Sequence, residues 1–399
     1  KRDQRMSETS KVYNPFNLKV LCALSLGHLA TDVCQSALPA ILPFLKAKLM
    51  LSYAMTGSIL MASNITSSVI QPLFGYLSDK KEKPFLLPAG CLCAGLGIAF
   101  IAVPDSYWIA LMLVMLSGFG IASYHPEGFK TASFFTGNRM ATGMAVFTIG
   151  GNLGLAIGPL APTFIIENFG IENLFLMLVF PAIFLLCLAP FWKLIAKSRR
   201  GSKAKGTGSE NVPKGTYLSV GMIIAAVIMR SWTHFGVMAY IPFYYIDFQN
   251  GDPLYAGALV STFLFGGAIG TLLGAPLSDR FGYKRYLIFS MGLSAILFPL
   301  ILVTEGFMLF LSLGVVGMAL ISSFTVTIVM AQQLLPNNLG VASGLMAGFA
   351  IGTGGIGVTI LGVIADHFGV QMALKSIALL PVAGCVISLF IRFPAPAKK

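Results

Sequence analysis

Apolar residues in this chain come in long unbroken stretches of about 20 residues or more, separated by short breaks rich in glycine, proline or charge. Barrel strands would need only about 10 residues each, with strict alternation, and that pattern is absent. A stretch such as Trp108 to Phe135 is apolar on every face, which suits a helix surrounded by lipid. Cutting the chain at its breaks predicts an all-α membrane protein of twelve transmembrane helices. The spans are 17–45, 52–77, 84–103, 106–134, 139–168 and 171–195, then 215–245, 253–277, 283–303, 306–335, 339–367 and 370–393.

These spans fall into two six-helix bundles, 17–196 and 215–393, with tails at 1–16 and 394–399. The segment 197–214 between them is rich in Gly, Ser and basic residues and reads as a flexible tether. Several elements recur across it. GYLSDKKEK, from Gly75, returns as GAPLSDRFGYKR, from Gly274, so that Asp79 and Asp279 stand 200 residues apart. NFGI at Asn168 matches HFGV at His367, and FTIGGNLG at Phe147 echoes FAIGTGGIG at Phe349. Parallel repeats of this kind place a substrate site near the midplane between two halves that rock against one another.

Composition agrees: 56% of residues are apolar and 11% charged, with a mean hydropathy of +0.81. The net charge of +12 raises the question of nucleic acid, which its distribution answers in the negative. All Lys and Arg other than Lys46, Lys48, Lys375 and Arg230 fall at the tails, in alternate loops or beside them. Asp105, Glu167, Glu172, Asp247, Asp252, Glu305 and Asp366 lie on the opposite side. This positive-inside bias predicts an inner-membrane protein with both termini in the cytoplasm. The polar N-terminal residues contain no apolar core of a signal peptide. All six cysteines fall within spans and are expected to be small buried hydrophobes without disulfides.

Ionisable groups at membrane depth cost several kcal/mol unless they face water or one another, so those that occur are candidates for chemistry. The fourth span holds Tyr124-His125-Pro126-Glu127-Gly128-Phe129-Lys130. His28 and Asp32 are four apart on the first span and share a face, as do Arg230 and His234 on the seventh. Asp32 and Glu127, with His125 and His28 beside them, are expected to load and release protons. The bland alternative is fixed pairs, Glu127 with Lys130 or Arg230 and Asp32 with His28. Two hundred residues beyond His125, Glu127 and Lys130 stand Thr325, Thr327 and Met330, so proton handling is assigned to the first half. Arg230 can then serve as an anion clamp or as a counter-ion opposite the carboxylates. Gln35, Tyr124, Asn152, Trp232, His234, Tyr240, Phe243 and Tyr244 complete the expected substrate contacts.

The repeated loop resembles the signature of the major facilitator superfamily. Its aspartates, Asp79 and Asp279, stand at helix C-termini beside Lys80, Arg280, Lys284 and Arg285, where charge pairs can hold neighbouring helices closed. KKEKP departs from the signature in the first copy, which ranks Asp79 below Asp279 as a gate. Gly150 to Pro162 resembles the superfamily's antiporter motif, with Gly154, Gly158 and Pro159 as packing or bending points and Pro162 replacing the usual glycine. Stretches from Ser25, Gln71, Tyr124, Gln332 and Gly362 are together similar to the fosmidomycin-resistance type of transporter. That resemblance implies the major facilitator fold and proton-driven export of small amphipathic or anionic drugs.

No nucleotide-binding glycine loop, metal-ligand spacing or activated nucleophile is present, so no enzyme activity, cofactor or metal is expected. The expected partners are a small-molecule substrate, protons and the lipid bilayer, and a monomer is expected. An uptake symporter or uniporter for a small organic anion is the rival reading, and a transport-dead sensor or scaffold is a more distant one.

Overall fold

The computed structural model describes residues 15–51, 53–80, 84–203, 215–251 and 253–394. These form twelve helical rods. In the first half they are α1 (Leu18–Lys48), α2 (53–80), α3 (Leu86–Ala99), α4 (Tyr107–Ser133), α5 (Met140–Phe169) and α6 (Ile171–Ser198). The second half has α7 (Thr216–Ile246), α8 (Pro253–Phe281), α9 (Tyr283–Val303), α10 (Gly306–Leu334), α11 (Leu339–Phe368) and α12 (Val370–Phe390). Nine of the described helices are long and apolar enough to cross a bilayer by themselves. Of the other three, α3 has only 14 residues and α1 and α2 carry polar side chains in their interiors.

The apolar residues divide between packing and lipid contact. Leu24, Phe147, Phe184, Phe263 and Phe298 are fully enclosed, whereas Leu186, Ile296 and Phe307 are about three-quarters exposed. In water such a surface would drive aggregation, but hydrocarbon solvates it. Helix association in that solvent rests on close packing and polar contacts, and the glycine-rich α5 lies directly along α1. The corners between α5 and α6 and between α11 and α12 are made at Gly170 (φ 91°) and Gly369 (φ 83°), in the repeated NFG and HFG segments. A side chain there would be strained.

One boundary and one cysteine differ from expectation. Helix continues through Lys203, where a flexible tether was expected from Lys197: Trp192 to Arg200 are mostly good helix formers, and the helix runs on across Gly201 and Ser202. The rest of that tether (204–214), Lys81 to Lys83 of the first signature loop, and most of both tails lie outside the described residues. Cys22 is exposed, although Cys34 and Cys91 are buried as expected.

Candidate functional site

The ionisable residues of the first half separate into two clusters. The first lies between α1 and α4. His28 and Asp32, one turn apart, bring Nε2 and Oδ2 to 3.4 Å, and His125 Nε2 lies 2.9 Å from Asp32 Oδ1. All three are buried, at 4%, 5% and 7% exposure, so their contacts with one another replace those with water. The remaining ring nitrogens face backbone carbonyls, His28 Nδ1 at 3.1 Å from Phe147 O and His125 Nδ1 at 3.0 Å from Ile121 O.

Donor bookkeeping constrains this trio. A carbonyl only accepts, so each Nδ1 carries a hydrogen. In a neutral ring the corresponding Nε2 is then a lone pair, and both Nε2 atoms face a carboxylate, which also only accepts when ionised. The 2.9 Å contact is satisfied by one further proton, held on His125 Nε2 or on Asp32. Stacking of His28 on Phe147, at 4.4 Å between centroids, fixes that ring in place. Gly151 of α5 is what lets the backbone pass so close, since a Cβ there would lie 2.6 Å from His28 Nε2 and 2.7 Å from Asp32 Oδ2. Gly154 and Gly158 continue the same face against the Leu29 and Val33 carbonyls, where the expected hinge of Gly158-Pro159 forms the junction of two helical segments.

Among the described residues, this trio is also the group whose ligand atoms come close enough, within 4.8 Å, to hold a metal ion. Its local sequence lacks metal-ligand spacing because His125 and Asp32 are 93 residues apart. Direct bonding already joins His125 Nε2 to Asp32 Oδ1, whereas an ion held tetrahedrally between them would need about 3.3 Å.

The second cluster lies toward the loop joining α2 and α3. Glu127 is fully buried and accepts hydrogen bonds from Ser78 Oγ and, at 3.3 Å, from Thr131 Oγ1. Among the ion pairs of the described residues, Lys130 is matched with Asp79. Its ammonium lies 3.0 Å from Asp79 Oδ1 and donates to the Ser78 carbonyl at 2.8 Å. Both side chains of this pair are under one-tenth exposed.

Asp79 then reaches across to the other half. Its two oxygens accept from the backbone N–H groups of Gly340 (3.0 Å) and Val341 (2.9 Å), in the first turn of α11. Asp279 does the same in reverse: it accepts from Ala141 N–H (3.0 Å), Thr142 N–H (2.9 Å) and Thr142 Oγ1 (2.7 Å) in the first turn of α5. Tyr283 adds a 2.9 Å bond to Asp279. A carboxylate at a helix N-terminus satisfies orphan donors and complements the positive end of the dipole. The expected charge pairs with neighbouring basic residues are therefore corrected. Lys80 lies over the Tyr76 ring, Arg280 over Phe281, Lys284 bonds the Leu389 carbonyl, and Arg285 is exposed. The lower rank given to Asp79 is corrected as well, since it makes the same pair of N–H bonds and has Lys130 besides.

In the second half Arg230 is 5% exposed and donates to Ser323 Oγ (3.4 Å) and Thr327 Oγ1 (3.3 Å), with its guanidinium 5.5 Å from the Phe324 ring centre. It is not the counter-ion of Asp32 or Glu127: none of the ion pairs among the described residues includes it. Thr327, the repeat counterpart of Glu127, holds it in place. Among the expected substrate contacts, several are engaged in packing. Tyr124 OH bonds the Leu24 carbonyl, Trp232 Nε1 bonds Thr353, Tyr240 OH bonds the Val358 carbonyl and Tyr244 OH bonds the Leu302 carbonyl. Phe243 is half-exposed on the surface. Gln35, Asn152 and His234 are partly buried, His234 against Phe235 and Phe263. Sequence reasoning passed over Ser78, which touches both Glu127 and Lys130; its place beside Asp79 in the repeated loop was the available signal.

Two pseudo-symmetric helical bundles, cross-latched by paired aspartates and carrying buried ionisable groups, define a polytopic membrane transporter rather than an enzyme. The family model of the Major Facilitator Superfamily matches residues 24–251 and 247–399. The chain is 32% identical to the fosmidomycin resistance protein of Escherichia coli (strain K12), over 96% of this chain and 95% of that protein. It is 33% identical to the uncharacterized MFS-type transporter YfnC of Bacillus subtilis (strain 168), over 93% and 92%. The E. coli fucose:proton symporter FucP superposes with a TM-score of 0.74 at 14% identity, covering 94% of this chain and 98% of that one. The chain belongs to the major facilitator superfamily.

Proposed function

We propose that this transporter exports small amphipathic or anionic molecules, of the kind the fosmidomycin resistance protein's name describes, in exchange for protons. The observation that carries the coupling is the His28–Asp32–His125 trio, whose contacts hold one proton beyond those of neutral rings and an ionised carboxylate. Opening the bundle to water on either side in turn lets that proton leave or return. Glu127, bonded to Ser78 beside the Asp79–Lys130 pair, is the second proton group and links charge state to the latch. Arg230, Gln35, Asn152 and His234 form the substrate-facing set, with Arg230 presented by Ser323 and Thr327 to an anionic group. The protein works as a monomer in the inner membrane with both termini in the cytoplasm, in keeping with the distribution of its basic residues.

Reconstitution into liposomes with an imposed pH gradient tests this reading. An acidic lumen in inside-out vesicles should drive accumulation of an anionic amphipathic dye, with proton efflux in step. Accumulation driven by the opposite gradient would establish uptake instead, and accumulation indifferent to the gradient would remove protons from the mechanism.

A further inference from the structure

A cavity of about 760 Å³ opens in the second half at the end of the bundle that carries the basic loops. It lies between the start of α7, the start of α9, the end of α10 and the segment that follows α12, away from both clusters described above. Thr216, Ser219, Lys284 and Arg392 supply its polar wall. We infer that this cavity binds the phosphate of an anionic phospholipid headgroup.

Four observations point to an anion as the ligand. α7 begins at Thr216 after Gly215, an N-cap residue that makes no side-chain cap hydrogen bond. The Arg392 guanidinium stands over that same end, with Nη1 3.9 Å from where a Gly215 Cβ would lie. A cation at the positive end of a helix dipole is the unfavourable arrangement, and Lys284 adds a second charge, which donates to the Leu389 carbonyl. Among the described residues no carboxylate pairs with either. Finally, Ser219 is 2% and Thr216 8% exposed, both line the cavity, and among the described residues neither hydroxyl has a hydrogen-bond partner. Buried hydroxyls elsewhere, such as Thr31 and Thr148, fold back on the carbonyl four residues earlier. These two hydroxyls, the first N–H groups of α7 and two cations match the oxygens of a phosphate.

The flanks of the cavity favour a lipid over a free anion. Leu218 (61% exposed) and Phe390 (65% exposed) stand beside the polar wall and face outward, where acyl chains lie. A ligand with a charged head and apolar tails therefore meets both surfaces, and it would tie together α7, α9, α10 and α12 within one half.

Titration of phosphatidylglycerol into the detergent-purified full chain, read by native mass spectrometry against phosphatidylcholine, tests the site. Each cation is expected to contribute about fivefold in affinity, so Arg392→Gln with Lys284→Gln should weaken phosphatidylglycerol binding about 25-fold and leave phosphatidylcholine unchanged. Ser219→Ala, which removes a hydroxyl without adding bulk, should weaken it in the same direction. Equal affinity for the two lipids, or a double variant that binds phosphatidylglycerol like the parent, would overturn the proposal. Inorganic phosphate and glycerol phosphate form a separate arm. Binding of these that depends on Arg392 and Lys284, without preference for phosphatidylglycerol, would keep the anion site and overturn its assignment to lipid.

Discussion

Asp32 and His125 are 93 residues apart and share one hydrogen bond of 2.9 Å, while the far nitrogen of the same ring is held by the Ile121 carbonyl. The ring cannot turn to offer its protonated side to Asp32 without losing that second bond. Any change of protonation at Asp32 is therefore felt along α4, and any tilt of α4 is felt at Asp32. That reciprocity is what coupling between a proton and a moving helix requires.

Asp32→Asn tests it directly. An amide keeps the size of the side chain and can donate one hydrogen to the His125 lone pair, so the protein should remain folded. The extra proton then has no place in the contact. Dye accumulation driven by a pH gradient should fall at least tenfold, with downhill exchange of the dye retained. Retention of gradient-driven accumulation with the parent's pH dependence would show that the trio is structural.

Glu127→Gln separates the two clusters. Glutamine can accept from one of the Ser78 and Thr131 hydroxyls through Oε1 and donate to the other through Nε2, so folding is expected to survive. Gradient-driven transport should be lost if Glu127 carries a proton. A variant whose transport is slow yet keeps the parent's pH dependence would instead assign Glu127 to supporting Ser78 and the latch behind it.

The two latches should differ in stability cost. Asp279→Asn removes a half-buried carboxylate from a helix N-terminus, a loss of about 1–2 kcal/mol. Asp79→Asn removes the same cap and also strands the Lys130 ammonium, about 3–5 kcal/mol for a buried pair broken on one side. The melting midpoint in one detergent should therefore fall further for Asp79→Asn, and Lys130→Met in the same chain should recover much of the difference. Equal midpoints for the two single variants would refute the account of Lys130.

The repeat made the existence of both latches legible, because Asp79 and Asp279 sit in matching loops. Their partners were not legible, since the acceptor geometry involves backbone N–H groups of α11 and α5, which any residues supply. Local sequence offered Lys80 and Arg280 as nearer charges, yet these lie over aromatic rings of their own helices. Likewise, helical spacing correctly placed His28 beside Asp32, but the closer contact, to His125, depends on how α1 crosses α4. Aromatic side chains misled for a related reason: Tyr124, Tyr240 and Tyr244 have polar tips that suit a cavity and equally suit a buried carbonyl, and composition does not choose between them.

Arg230 gives the most direct statement about substrate. Its guanidinium is buried with two hydroxyl partners, Ser323 and Thr327, and lacks a carboxylate, so its charge is available to an anion entering between the halves. Arg230→Ala removes that charge, and anionic substrates should lose about tenfold or more in apparent affinity, while cationic amphipathic dyes lose little. Arg230→Lys keeps the charge but cannot span both hydroxyls while presenting a planar fork, so recovery should be partial. The two variants together distinguish a binding charge from a structural one. If cationic and anionic substrates weaken equally in Arg230→Ala, and Arg230→Lys restores neither, the guanidinium serves to pack α7 against α10 and the anion must be recognised elsewhere.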